Sequence, residues 1–77
     1  MREFNMDIRS LQQIREFVQL ATVQPFEVVV GNQHQKINGK DLMGMYVLDY
    51  SRPIKVSVCC SEEEFYRFRQ NAMALTA

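Results

Sequence analysis

Residues 54–60, IKVSVCC, set Ile54, Val56, Val58 and Cys60 on one side of an extended chain and Lys55, Ser57 and Cys59 on the other. Successive side chains of a strand point to opposite faces, so this segment is covered on one face and wet on the other. The same alternation runs through residues 2–8, REFNMDI, where Phe4, Met6 and Ile8 oppose Glu3, Asn5 and Asp7. It returns in FEVVVGN, residues 26–32, with Phe26, Val28 and Val30 on one face. Strands of this kind belong to an antiparallel sheet with one face on a core and one in solvent. Every helix must then pack on the covered side.

Two segments supply long helices. Leu11, Ile14, Phe17, Val18 and Ala21 recur at helical spacing. Ser10 followed by Gln13 reads as a capping box, and Pro25 ends the helix near residues 22–24 because it disfavours helical backbone just before itself. In SEEEFYRFRQNAMAL the stripe is Phe65, Phe68, Ala72 and Leu75, with Ser61 and Glu64 as a second capping box. Glu62, Glu63 and Glu64 sit in its first turn, where the helix dipole favours them. A turn at Gly31 and Asn32 joins FEVVVGN to HQKIN as a hairpin. After Asn38 and Gly39, NGKDLMGMYVLDYS predicts a helix of about two turns with Asp41 as its cap, and Arg52 and Pro53 break the chain before the last strand. The order is βαββαβα. It predicts an α+β fold with a four-stranded antiparallel sheet and three helices on one face, in a single domain over residues 1–77.

The chain has 77 residues with 9 Lys+Arg and 9 Asp+Glu, a formal net charge of +0. Non-specific nucleic-acid binding needs a basic excess, so Tyr66, Arg67 and Arg69 read as a solvated helix face. No apolar run approaches ~20 residues, and the opening MREFNMDIRS is polar and broken, which predicts neither a membrane span nor a secretory signal. Cys59 and Cys60 are adjacent and cannot staple distant segments. A reducing, cytoplasmic compartment is expected. Cys60 falls on the covered face and Cys59 on the wet one. No Cys–His set has zinc spacing, and no glycine-rich phosphate loop or nucleophile–base pair is present. The expectation is therefore no metal, no cofactor and no enzymatic activity. His34, the one histidine, falls in or just after the hairpin turn and reads as exposed and inert.

Lys40-Asp41-Leu42-Met43-Gly44, between a hairpin and the last strand, resembles the opening of the second helix of the HPr family, small phosphocarriers of the bacterial sugar phosphotransferase system. EFVQLA, residues 16–21, is similar to that family's first helix. The resemblance spans nearly the whole chain in element order and implies an HPr-like open-faced β-sandwich. It also implies two departures. Counting back from Phe17 and Val18, the family's phospho-accepting histidine falls at Ser10 and its arginine at Gln12. A serine phosphoester is too stable to pass its phosphoryl group on as phosphohistidine does. The resemblance thus implies the fold without the carrier chemistry. His34 is the other side chain suited to accept a phosphoryl group, and an unrelated α+β binding module is the further alternative.

The second departure is Asp41, where regulated family members carry a phosphorylatable serine. A phosphoserine brings about −1.5 to −2 of charge. Asp41 brings one permanent charge, either as a plain helix cap or as a constitutive imitation of the phosphorylated state. The apolar run behind it divides: Met45 and Leu48 suit the core, while Leu42, Met43 and Tyr46 point partly outward. Methionine suits adaptable contact surfaces, and a contiguous exposed apolar patch marks a partner site. The resemblance implies docking through this helix to protein partners, either phosphotransferase-system enzymes or a transcriptional regulator. The expected function is that of a regulatory or accessory protein-interaction module.

Overall fold

The computed structural model describes residues 1–76. Its elements are β1 (Arg2–Met6), α1 (Leu11–Thr22), β2 (Val28–Gly31), β3 (Lys36–Asn38), α2 (Leu42–Tyr46), β4 (Ile54–Val58) and α3 (Glu62–Ala74). They form the expected α+β open sandwich, with a four-stranded sheet in the order β1-β4-β2-β3 and every neighbouring pair antiparallel. β1 and β2 both run against β4, so they are parallel to each other, and α1 is the crossover that lets β4 enter between them. The central place suits β4, in which Ile54, Val56, Ser57 and Val58 are all buried.

The register places Phe4 opposite Val56 and Met6 opposite Ile54, with Val30 on the other flank of Val56. This inner face is capped by Ile14, Phe17, Val18 and Ala21 of α1, Met45 of α2, and Phe68 and Ala72 of α3, all buried. Phe68 is the hub. It meets Phe4, Phe17 and Phe26 at ring-centroid distances of 6.0, 6.1 and 5.7 Å, two of them edge-on. Edge-to-face aromatic pairs add about 0.5–1.5 kcal/mol each beyond area burial. Phe26 precedes β2 rather than belonging to it, yet stays on the helix side through this contact.

Several boundaries differ from expectation. β1 ends at Met6, although Ile8 remains buried, and β4 ends at Val58, which leaves both cysteines beyond the strand. The hairpin turn is not at Gly31 and Asn32. Gly31 is the last residue of β2, paired with Lys36. The loop is residues 32–35, closed because the Asn32 side chain accepts from the His34 and Gln35 amides at 2.8 and 2.9 Å. This local side-chain turn outcompetes a two-residue one. α2 spans five residues, little more than one turn. Leu11 fits the spacing of the α1 stripe but is 65% exposed, because nothing packs over the helix's first residue. Ser57 lies on the solvent side of the sheet as expected, yet is buried at the centre of that face, where its hydroxyl donates to Glu3 at 3.2 Å.

Candidate functional site

The start of α1 is built by Ser10. Its backbone is extended (φ −147°, ψ 158°), and its hydroxyl accepts from the Gln13 amide at 3.1 Å. Only half of the expected capping box forms. The Gln13 side chain reaches past Ser10 to accept from the Arg9 amide at 2.7 Å, while its amide nitrogen donates to the Leu75 carbonyl at 3.4 Å. That contact ties the first turn of α1 to the end of α3. Arg9 is occupied by Asp7 at 2.6 Å. Gln12 lies along its own helix, donating to Glu16 and accepting from Arg15. A shallow depression borders this turn, lined by Ile8, Arg9, Ser10, Leu11, Tyr50 and Pro53 among others. The Tyr50 hydroxyl donates to the Met45 carbonyl, and burial pushes its pKa up to about 12. The first turn of α1 thus presents a hydroxyl at Ser10 and an uncharged amide at Gln12.

α1 packs beside α2. Asp41 occupies the N-cap position of α2 with extended backbone, but its side chain makes no capping hydrogen bond, which corrects the expected role. A Cβ at Gly44 would sit 2.9 Å from Asp41 Oδ2, so the carboxylate lies against the bare Cα of that glycine. The glycine makes room for Asp41, not for the sheet. Of the expected outward residues, Met43 is 71% exposed and Leu42 36%. Tyr46 is half-buried against the core and lies only partly outward. Val47, just past the helix, is 71% exposed and joins the outward residues. The sequence carried one signal for it: Val47 is the neighbour, not the helical partner, of buried Leu48.

His34 is exposed in the β2–β3 turn. The fold brings the α2–β4 loop to it, so that His34, Asp49, Ser51 and Arg52 line one depression. Hydrogen bonds from Ser51 hold the Asp49 carboxyl below the usual range, with smaller help from the charges of Arg52 and His34. These residues come from two separate loops, and no sequence spacing connects them. Cys59 and Cys60 are free thiols, the first exposed and the second half-buried. Burial pushes the Cys60 thiol up, the Glu64 carboxylate adds to this, and Arg2 opposes it. Among the described residues, no three His, Cys, Asp or Glu side chains are grouped to hold a metal ion. No helix there is long and apolar enough to cross a membrane.

No protein-family model matches this sequence, and no curated protein matches it. Among solved structures the chain is similar to HPr-C-His from Thermoanaerobacter tengcongensis, with a TM-score of 0.77 and 24% sequence identity over 96% of this chain and 92% of that one. The fold is therefore HPr-like, as the resemblance carried by residues 40–44 and 16–21 implied.

Proposed function

We propose that this chain is an HPr-like protein-interaction module, regulatory or accessory to a sugar phosphotransferase system, that does not carry phosphoryl groups on α1. The observation that carries the reading is the apolar surface around α2. Leu42, Met43 and Val47 expose large side chains within six residues, while Met45 between them is fully buried. So short a helix buries Met45 fully and leaves Leu42 and Met43 at the surface, as a docking surface requires. Leu11 adds a fourth exposed apolar side chain at the start of the neighbouring helix. Ser10 and Gln12 fill the places of the carrier histidine and its arginine, so the docking surface stands without the transfer chemistry. Asp41 adds a permanent carboxylate beside the patch, where the resemblance puts a phosphorylatable serine. Its side chain is not used in capping, which supports a role toward a partner. The test is capture from a bacterial cytosolic extract by the chain and by Met43→Ser and Val47→Ser variants. Loss of the same captured protein in both variants is the expected result, and unchanged capture removes the reading.

A second reading has one observation in its favour: His34 shares its depression with Asp49 and Arg52. There the imidazole would accept the phosphoryl group and Arg52 would offset the added charge. Incubation with the phosphohistidine donor enzyme of the system, followed by intact mass at neutral and acid pH, decides between the two. Our reading expects no acid-labile phosphate. An acid-labile adduct that disappears in His34→Gln establishes the second.

A further inference from the structure

Asn38 ends β3, and Gly39 begins the connection to α2. Asn38 is the one asparagine of the chain that a glycine follows; Asn5, Asn32 and Asn71 precede Met6, Gln33 and Ala72. A glycine has no Cβ to shield its backbone nitrogen, so an asparagine before it can close its side chain onto the main chain. β3 is an edge strand of three residues, paired with β2 alone, and Asn38 is exposed at its end. Gly39 is buried, and a Cβ there would meet Val28 Cγ1 at 2.7 Å and Val30 Cγ2 at 3.1 Å. Core packing therefore demands the glycine, and the reactive dipeptide comes with it. The fold holds both reacting groups. The Gly39 amide donates to the Val28 carbonyl at 2.7 Å, and Asn38 Oδ1 accepts from the Lys40 amide at 2.9 Å. Reaction requires the end of β3 to part from β2, a local opening that needs no global unfolding.

We propose that Asn38 is a self-modification site that deamidates when the end of β3 opens, and that the fold tolerates one of its two products but not the other. The Gly39 amide nitrogen loses its proton to hydroxide and bonds to Asn38 Cγ. The Cγ–Nδ2 bond breaks, and Nδ2 leaves as ammonia, which closes a five-membered succinimide. Water then opens the ring on one of two sides. Breaking the bond from nitrogen to Cγ leaves aspartate at position 38. Breaking the bond from nitrogen to the main-chain carbonyl carbon leaves isoaspartate, whose backbone runs through the former side chain and is one methylene longer. Aspartate keeps an oxygen for the Lys40 amide. Isoaspartate moves Gly39 away from the Val28 carbonyl, where Val28 and Val30 leave no space to shift. β3 also packs against α2, so the disturbance reaches that helix. The chemistry is independent of the docking surface being correct.

The test keeps the full chain in mildly alkaline buffer, folded and in guanidinium chloride, and locates products by peptide mass mapping and an isoaspartate methyltransferase. Conversion at Asn38 is expected in both samples, about tenfold or more slower in the folded chain because two hydrogen bonds must open first. Ile37→Ala removes a β3 side chain packed against the core and accelerates the folded-state reaction. The purified isoaspartate form melts below the parent, whereas Asn38→Asp melts with it. Faster reaction at Asn5, Asn32 or Asn71 overturns the proposal, as do equal rates in the folded and unfolded chain or no conversion in the folded chain. An Ile37→Ala rate equal to the parent's, or an isoaspartate form that melts with the parent, overturns it too.

Discussion

Met43 and Met45 differ in one respect that alanine substitution measures directly. They stand two residues apart on α2, with 71% of Met43 and 0% of Met45 exposed. Burying a methionine side chain fully stabilises by about 1.5–3 kcal/mol. Met43 has about three-tenths of its surface covered, so Met43→Ala removes at most ~0.4–0.9 kcal/mol, and alanine's better helix propensity returns a little of that. Met45→Ala loses the whole transfer term and opens a cavity against the sheet, for about 2–5 kcal/mol. In a domain of this size 1 kcal/mol shifts the melting temperature by about 4–8 °C. Met45→Ala therefore lowers Tm by at least ~8 °C, and Met43→Ala by no more than ~7 °C. Thermal unfolding followed by far-UV circular dichroism reads both. Partner capture should move the opposite way: Met43→Ala loses it while the fold stays intact, and volume-conserving Met45→Leu keeps it. Equal melting shifts for Met43→Ala and Met45→Ala would show that Met43 is core, and the docking surface would lose its central residue.

The remaining predictions concern local structure. Ser61→Ala removes a complete capping box, in which Ser61 accepts from the Glu64 amide at 3.1 Å and Glu64 accepts from the Ser61 amide at 3.0 Å. It should cost about 1 kcal/mol in urea unfolding, whereas Asp41→Ala, which breaks no capping bond, should cost less than ~0.5 kcal/mol. Gly44→Ala displaces only the movable end of Asp41 and should stabilise by up to ~1 kcal/mol through helix propensity. Gly39→Ala puts a Cβ 2.7 Å from Val28 Cγ1 in the core and should destabilise by about 1–3 kcal/mol. The Ser61 hydrogen bonds hold the Glu64 carboxyl below its ordinary value. Its contribution is full above the unfolded carboxylate pKa and fades as pH falls through the lower folded value. Glu64→Gln should therefore flatten the acid side of the stability–pH curve, measured as Tm against pH from 3 to 6.

Local chemistry determined much of this protein. The alternation in residues 2–8 and 54–60, the helical stripe from Ile14 to Ala21, and the Ser61–Glu64 box each concern residues within a few positions of one another, so their geometry follows from backbone periodicity and short hydrogen bonds. Every strand being one-sided was enough to put all three helices on one face. Local competition was harder to read. Asn32 took the hairpin turn through its own side chain, and Gln13 bypassed Ser10 for the Arg9 amide because it also reaches the end of α3.

What only tertiary structure decided is which residues have a neighbour. Spacing says which way Leu11, Tyr46 and Val47 point, but exposure depends on what another element places there. Leu11 lies beyond the packed part of α1, Tyr46 finds the core, and Val47 finds nothing. The entry of β4 between β1 and β2 is likewise non-local. It alone lines Lys55, Gly31 and Lys36 in one row from three strands. The approach of Asp49 and Arg52 to His34 joins two loops that no periodicity connects. Burial and clefts arise from contacts between segments distant in the chain, and a single sequence expresses those contacts only after it has folded.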